Sequence, residues 1–195
     1  AGLPFALAAG GFLALHFAFW ITSLSYTSVA ASTALVTTNP VWVTLLGWWL
    51  FGERPSFLTL LGVGVALLGG VLIGLGDSEG GGGANPLLGD FLALLGAVAA
   101  SCYFLLGREA QRRGLSTWAY VRVAYTAAAL LLLPLPYLFG GGYGGYPLEV
   151  YAYLLLMALL PQLVGHTSFN WATRHIPPVL VTLAILFEPV GASLL

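Results

Sequence analysis

One charge-free run with a proline in its middle constrains this chain more than any other feature. From Ser28 to Gly52 the sequence reads SVAASTALVTTNPVWVTLLGWWLFG, and Glu53-Arg54-Pro55 stops it. About 20 apolar residues suffice to cross a bilayer as a helix, so the run reads as a membrane span. Asn39-Pro40 lies near its midpoint. Proline has no amide hydrogen, and its ring pushes away the carbonyl one turn back, here that of Val36. In lipid a freed carbonyl needs another partner. Asn39 adds a polar side chain at the same depth. An ordinary anchor helix needs neither feature.

The design occurs twice. At a fixed offset of 149 residues, Thr33 falls on Thr182, Asn39 on Glu188 and Pro40 on Pro189, with no gap. The identities are few. The weight lies in the shared pattern, a polar residue followed by proline inside a span. Internal repeats of this kind mark secondary transporters, whose sites sit near the membrane midplane on interrupted helices.

Composition agrees. Of 195 residues, 59% are hydrophobic and 7% charged, against about 25% charged in soluble domains. The chain is expected to be an all-α membrane protein. The net charge of -1 gives no reason to expect nucleic acid. Cys102 is alone, which excludes an internal disulfide and a cysteine-built metal site. No catalytic, ATP-binding or other cofactor motif is present, so transport would be passive or driven by a gradient.

Seven spans are expected: residues 2–23, 28–51, 56–76, 87–107, 116–139, 148–173, and one beginning at Pro177-Pro178. All six basic residues are arginine. Arg54, Arg108, Arg112, Arg113 and Arg174 follow spans two, four and six, which puts them on one side, the cytoplasmic one by the positive-inside rule. Arg122 lies inside span five and is expected to snorkel to the interface. Spans two and seven then run in opposite senses, as an inverted repeat. Both ends read as cut, so a longer protein of ten spans in two halves of five is expected. Gly2, Ala6, Gly10, Ala14 and Ala18, and likewise Gly62, Ala66, Gly70 and Gly74, recur every fourth residue, as close helix packing requires.

The run LSYTSVAASTALVTTNPVWVTLLGWWLFGERPSFLTLLGVGVALLGGVLIG resembles the EamA-type repeat of the drug/metabolite transporter superfamily, and LAILFEPVGASLL resembles the second repeat. The resemblance covers essentially the whole chain. It implies a polytopic helix bundle of ten helices, built as two inverted repeats of five. Residues 1–76 would be the last three helices of the first repeat, 77–86 a linker, and 87–195 the first four helices of the second. It further implies a carrier that moves small metabolites, amino acids or drugs, mostly outward, by alternating access in a plasma or bacterial inner membrane, with membrane lipid around it.

Polar groups inside a membrane are costly and usually face the bundle interior or a wet cavity. Gln162, His166, Asn170 and Thr173 share a helix face in span six, either lining a cavity or gluing two helices. His16 and Trp20 share a face in span one, opposite the small-residue stripe. His16 either meets the cavity or bonds a backbone carbonyl. Asn39 and Glu188 stand beside the helix-breaking Pro40 and Pro189. Glu188 could carry a coupled proton, or hold the break together. Tyr103, Tyr125 and Trp118 are as readily packing or interface aromatics as ligand contacts. The competing reading, a membrane-embedded enzyme acting on a lipid or prenyl substrate, would need clustered acids at a membrane face. Glu109 stands without such partners.

Overall fold

The computed structural model describes residues 1–77 and 83–186, with side chains other than those at 66, 70, 71 and 73–77. Glu188 and Pro189 lie outside the described residues. In chain order the helices are α1 (Leu3–Ser23), α2 (Val29–Val36), α3 (Asn39–Phe51), α4 (Phe57–Asp77), α5 (Pro86–Arg112), α6 (Thr117–Leu132), α7 (Leu135–Leu138) and α8 (Leu148–Met157). A π-helical segment (Ala158–His166), α9 (Thr167–His175) and α10 (Pro178–Ile185) follow. No strand occurs among the described residues. Leu3–Ser23, Val29–Phe51, Pro86–Arg112, Thr117–Leu138 and Leu148–His175 are each long and apolar enough to cross a membrane. The protein is therefore an all-α, polytopic membrane protein.

The small residues decide where helices meet. α1 lies against α5 and α6 and buries Ala6, Ala9, Leu13 and Ala14 there. A Cβ placed on Gly10 would stand 2.6 Å from the Ala124 carbonyl oxygen, and one on Gly2 2.5 Å from that of Ala110. Only glycine allows such backbone approach. On α4, Gly62 faces Leu183 of α10; positions 66, 70 and 74 carry no described environment.

The span around Pro40 is not one bent helix. It is interrupted at Thr37-Thr38, so Pro40 occupies the first turn of α3, where no amide donor is needed. The hydroxyls of the gap bond carbonyls of the preceding turn, of which Thr33 O and Leu35 O also accept the Thr37 and Thr38 amides. Thr37 Oγ1 donates to Thr33 O (2.9 Å) and Ala34 O (3.0 Å), and Thr38 Oγ1 to Leu35 O (2.6 Å). α3 ends at Gly52, whose φ of +67° is left-handed, the usual glycine stop. Gly52 N–H bonds Trp48 O (3.0 Å) and Glu53 N–H returns to Gly47 O (3.2 Å). That turn carries Glu53 to Arg108, whose Nη2 lies 2.5 Å from Glu53 Oε1.

α5 runs five residues past the expected end of span four, so Arg108 is a buried helical residue, not a loop cation. The Arg113 guanidinium sits 4.2 Å from the Phe5 ring centroid. The start of α1 and the ends of α3 and α5 thus meet at one arginine-bearing end. At the other end Thr27 donates to Asp90 (2.8 Å) and Asn85 N–H to Tyr26 O (3.2 Å). α10 begins beside the end of α3, where Pro177 and Glu53 line one cavity, so the two helices run oppositely. Arg122 is exposed and donates to Trp118 O (3.3 Å), one turn nearer the helix start.

Candidate functional site

The middle of α5 organises the buried polar groups. Gly96 lets α1 and α2 approach, since a Cβ there would stand 3.4 Å from Trp20 Cβ and 3.5 Å from Val36 Cγ2. The Gly96 carbonyl oxygen lies 3.0 Å from His16 Nδ1. A carbonyl only accepts, so Nδ1 carries the proton and Nε2 is the lone-pair nitrogen. The His16 ring stacks on Trp20 (5.7 Å between centroids) and touches Phe17 (5.0 Å). Phe17 in turn reaches His166 (5.9 Å), and His166 reaches Tyr103 (6.2 Å).

Tyr103 leads to the second polar layer. Asn170 Nδ2 donates to the Tyr103 hydroxyl in a very short contact and to Tyr125 OH at 3.3 Å. Tyr125 OH lies 3.3 Å from Thr167 Oγ1. Gln111 Nε2 donates to Asn170 O (2.9 Å), and Gln111 Oε1 accepts from Thr117 Oγ1 (2.7 Å). Thr173 Oγ1 also donates to Asn170 O (2.9 Å). Tyr120 stacks on Tyr103 (6.3 Å) and lies over Gly107, where any Cβ would collide with its ring. These bonds tie α5, α6 and α9 into one polar core.

His16, Trp20, His166 and Asn170 thus belong to one connected cluster. Asn39 does not join it. Ser101 donates to Asn39 O (3.3 Å), and Ser101 and Tyr103 are two positions apart, about 200° around the helix. Asn39 therefore stands on the opposite flank of α5. Gln162 is half-buried in the π segment, which also contains Pro161. Trp118 points outward.

Five of these side chains keep a buried polar atom with no hydrogen-bond partner among the described residues: Trp20 Nε1, Asn39 Oδ1, Tyr120 OH, His166 Nδ1 and Asn170 Oδ1. Buried polar atoms in folded proteins are nearly always bonded, so such atoms call for an explanation. Together they are buried donor and acceptor atoms that the described residues leave uncommitted. No group of three or more His, Cys, Asp or Glu side chains among the described residues could hold a metal ion.

Two residues of α5 join the core, Tyr103, whose role the sequence leaves open, and Gln111, which the spacing patterns do not single out. Tyr103 is fully buried at the junction of the two layers, and Gln111 bridges α6 to α9. The only signal for Gln111 is an uncharged polar residue within an arginine cluster. A cavity of about 550 Å³ opens at the arginine end between α3, α5 and α10, lined among others by Glu53, Arg54 and Arg108. None of the candidate site residues picked from sequence that are described lines it. A second cavity of about 380 Å³ lies between α6 and α9, beside Trp118, Thr167 and Trp171.

Comparison with known proteins supplies the context. The sequence model of the EamA-like transporter family matches residues 2–75 and 87–195. A protein described as an uncharacterized transporter from Clostridium kluyveri is 26% identical over 176 residues, covering 89% of this chain and 56% of the relative. One named "Probable terminal-alkyne amino-acid exporter" from Streptantibioticus cattleyicolor is 27% identical over 165 residues, covering 83% and 53%. The chain spans about half the length of these curated relatives. No solved structure matches it.

Proposed function

The chain belongs to the EamA-like transporter family, and from that premise we propose that it forms part of a secondary carrier exporting small organic solutes, amino acids among them, across a plasma or bacterial inner membrane. Its family and relatives are transporters rather than enzymes. The amino-acid assignment takes its lead from the exporter to which the chain is similar. The mechanism proposed is alternating access, two inverted halves rocking about a midplane site. His16, Trp20, Gln162, His166 and Asn170 would contact the solute from one flank of α5 and Asn39 from the other, with Glu188 as the candidate coupling acid and Pro40 and Pro189 at the breaks.

The observation that carries this reading is the set of unpartnered buried atoms on Trp20, Asn39, His166 and Asn170. A site that must release its ligand cannot have every polar atom committed to the protein. The interrupted α2–α3 span supports the same reading, because helices broken at mid-membrane are where carriers place their sites. So does the opposed course of α3 and α10.

The test is counterflow. The full-length protein in proteoliposomes preloaded with phenylalanine should accumulate labelled phenylalanine. His166→Ala should lower the initial rate about tenfold, the equivalent of one lost hydrogen bond to the solute. Asn170→Ala should do likewise. Wild-type rates in both variants would remove this cluster from the transport path.

A further inference from the structure

The cavity at the arginine end contains an ion pair whose partners are unequally placed. The Arg108 side chain is 9% exposed and the Glu53 side chain 40%. Arginine is always charged, and a buried charge needs a counter-ion. Glu53 supplies it incompletely. Its Oε1 lies 2.5 Å from Nη2 as an ion pair, but neither Nη2 nor Nε has a hydrogen-bond partner among the described residues. Nε and Nη2 form the side edge of the guanidinium, the edge a carboxylate grips with both oxygens. Glu53 touches one corner of it.

We propose that this cavity is a docking station for a solute carboxylate, and that Glu53 is its resident stand-in. An incoming carboxylate would take the Nε–Nη2 edge, and Glu53 would swing into water. The asymmetry in burial sets the direction of exchange. Glu53 is exposed enough to be left to solvent at little cost, whereas Arg108 is not and must always face an anion. Arg54 lines the same cavity, so its charged side chains among the described residues are two cations and one anion. An ammonium group meets net repulsion there. Val43, Val179 and Leu180 supply an apolar wall for the rest of the solute, and the volume falls within the range of small-molecule sites. The station lies apart from the polar core at mid-α5. It rests on the carrier reading only in taking its occupant for a solute in transit.

The experiment follows the thermal unfolding of detergent-purified full-length protein with 3-phenylpropanoate or with phenethylamine, at matched ionic strength. The carboxylate should raise the Tm of the wild type and the amine should not. Glu53→Gln removes the competitor and should tighten the apparent Kd for phenylpropanoate about fivefold, the scale of one charge-assisted hydrogen bond. Arg108→Gln should abolish the effect. Should either single variant fail to fold, the double variant Glu53→Gln/Arg108→Gln leaves no unpaired buried charge and should fold without responding to the carboxylate. A purely structural ion pair predicts that phenylpropanoate leaves the Tm of the wild type unchanged. That result, or a carboxylate effect surviving in the double variant, overturns the proposal. Counterflow on the same preparations separates the two claims. Transport without any carboxylate effect sinks the station alone, and an Arg108-dependent carboxylate effect without transport sinks the carrier reading alone.

Discussion

Two adjacent glycines in α1 provide a sharp test of the packing. A Cβ on Gly10 would stand 2.6 Å from Ala124 O, 2.7 Å from Ala127 Cβ and 3.1 Å from Ala124 Cα. Carbon atoms rest at about 3.5–4.0 Å, so Gly10→Ala must part α1 from α6 by roughly 1 Å. Two of the three obstacles are backbone atoms, which cannot turn aside. On Gly11 the same Cβ meets nothing within 4 Å. Both substitutions gain the same helix propensity, up to about 1 kcal/mol. That term cancels in the comparison and leaves overpacking, about 1–3 kcal/mol. Gly10→Ala should therefore be about 1–3 kcal/mol less stable than Gly11→Ala. Reversible unfolding by dodecyl sulfate in mixed micelles, at one protein concentration, measures the difference. Equal stability, or a more stable Gly10→Ala, would refute the backbone contact between α1 and α6 and the role given to the small-residue stripe.

Two further outcomes are expected. Asn170→Leu should destabilise the protein by about 1–2 kcal/mol through its bonds to Tyr103 and Tyr125, and a double-mutant cycle with Tyr103→Phe should show a coupling of at least about 0.5 kcal/mol; strict additivity would mean that the two do not interact. In a Cys102→Ala background, cysteines at Ser56 and Arg174 should react with an impermeant maleimide from one side of the membrane and one at Gly144 from the other, and labelling of Ser56→Cys and Arg174→Cys from opposite sides would break the topology.

Much of the helix layout was legible because a bilayer writes its thickness into sequence. Residues 2–23 and 28–51 were expected as spans, and the structure has helices at Leu3–Ser23 and, with an interruption, Val29–Phe51. The end of α5 was not legible. Charge marks where lipid stops, and on that ground Arg108 reads as a loop residue. The helix continues because Ala110 and Gln111 are buried against neighbouring elements. Pro40 signalled a disturbance, but not that the chain would stop and restart at Thr37-Thr38. The π segment around Pro161 gave no readable sign. The candidate site divides similarly. His166 and Asn170 stand out as polar residues in an apolar span. Tyr103 does not, because an aromatic in such a span fits lipid, core or ligand equally. Its partner Asn170 lies 67 residues away, and only tertiary pairing distinguishes these roles.

The gap at Thr37-Thr38 has a mechanical consequence. An ordinary kink inside oil becomes costlier as it opens, because each stretched amide rung abandons a carbonyl. Here Thr33, Ala34 and Leu35 already have hydroxyls for company, and a hydroxyl follows its acceptor by swivelling about a single bond. The joint can therefore articulate while its neighbours α2 and α3 travel as stiff rods, and the alternating access proposed above would need to deform only a two-residue knuckle.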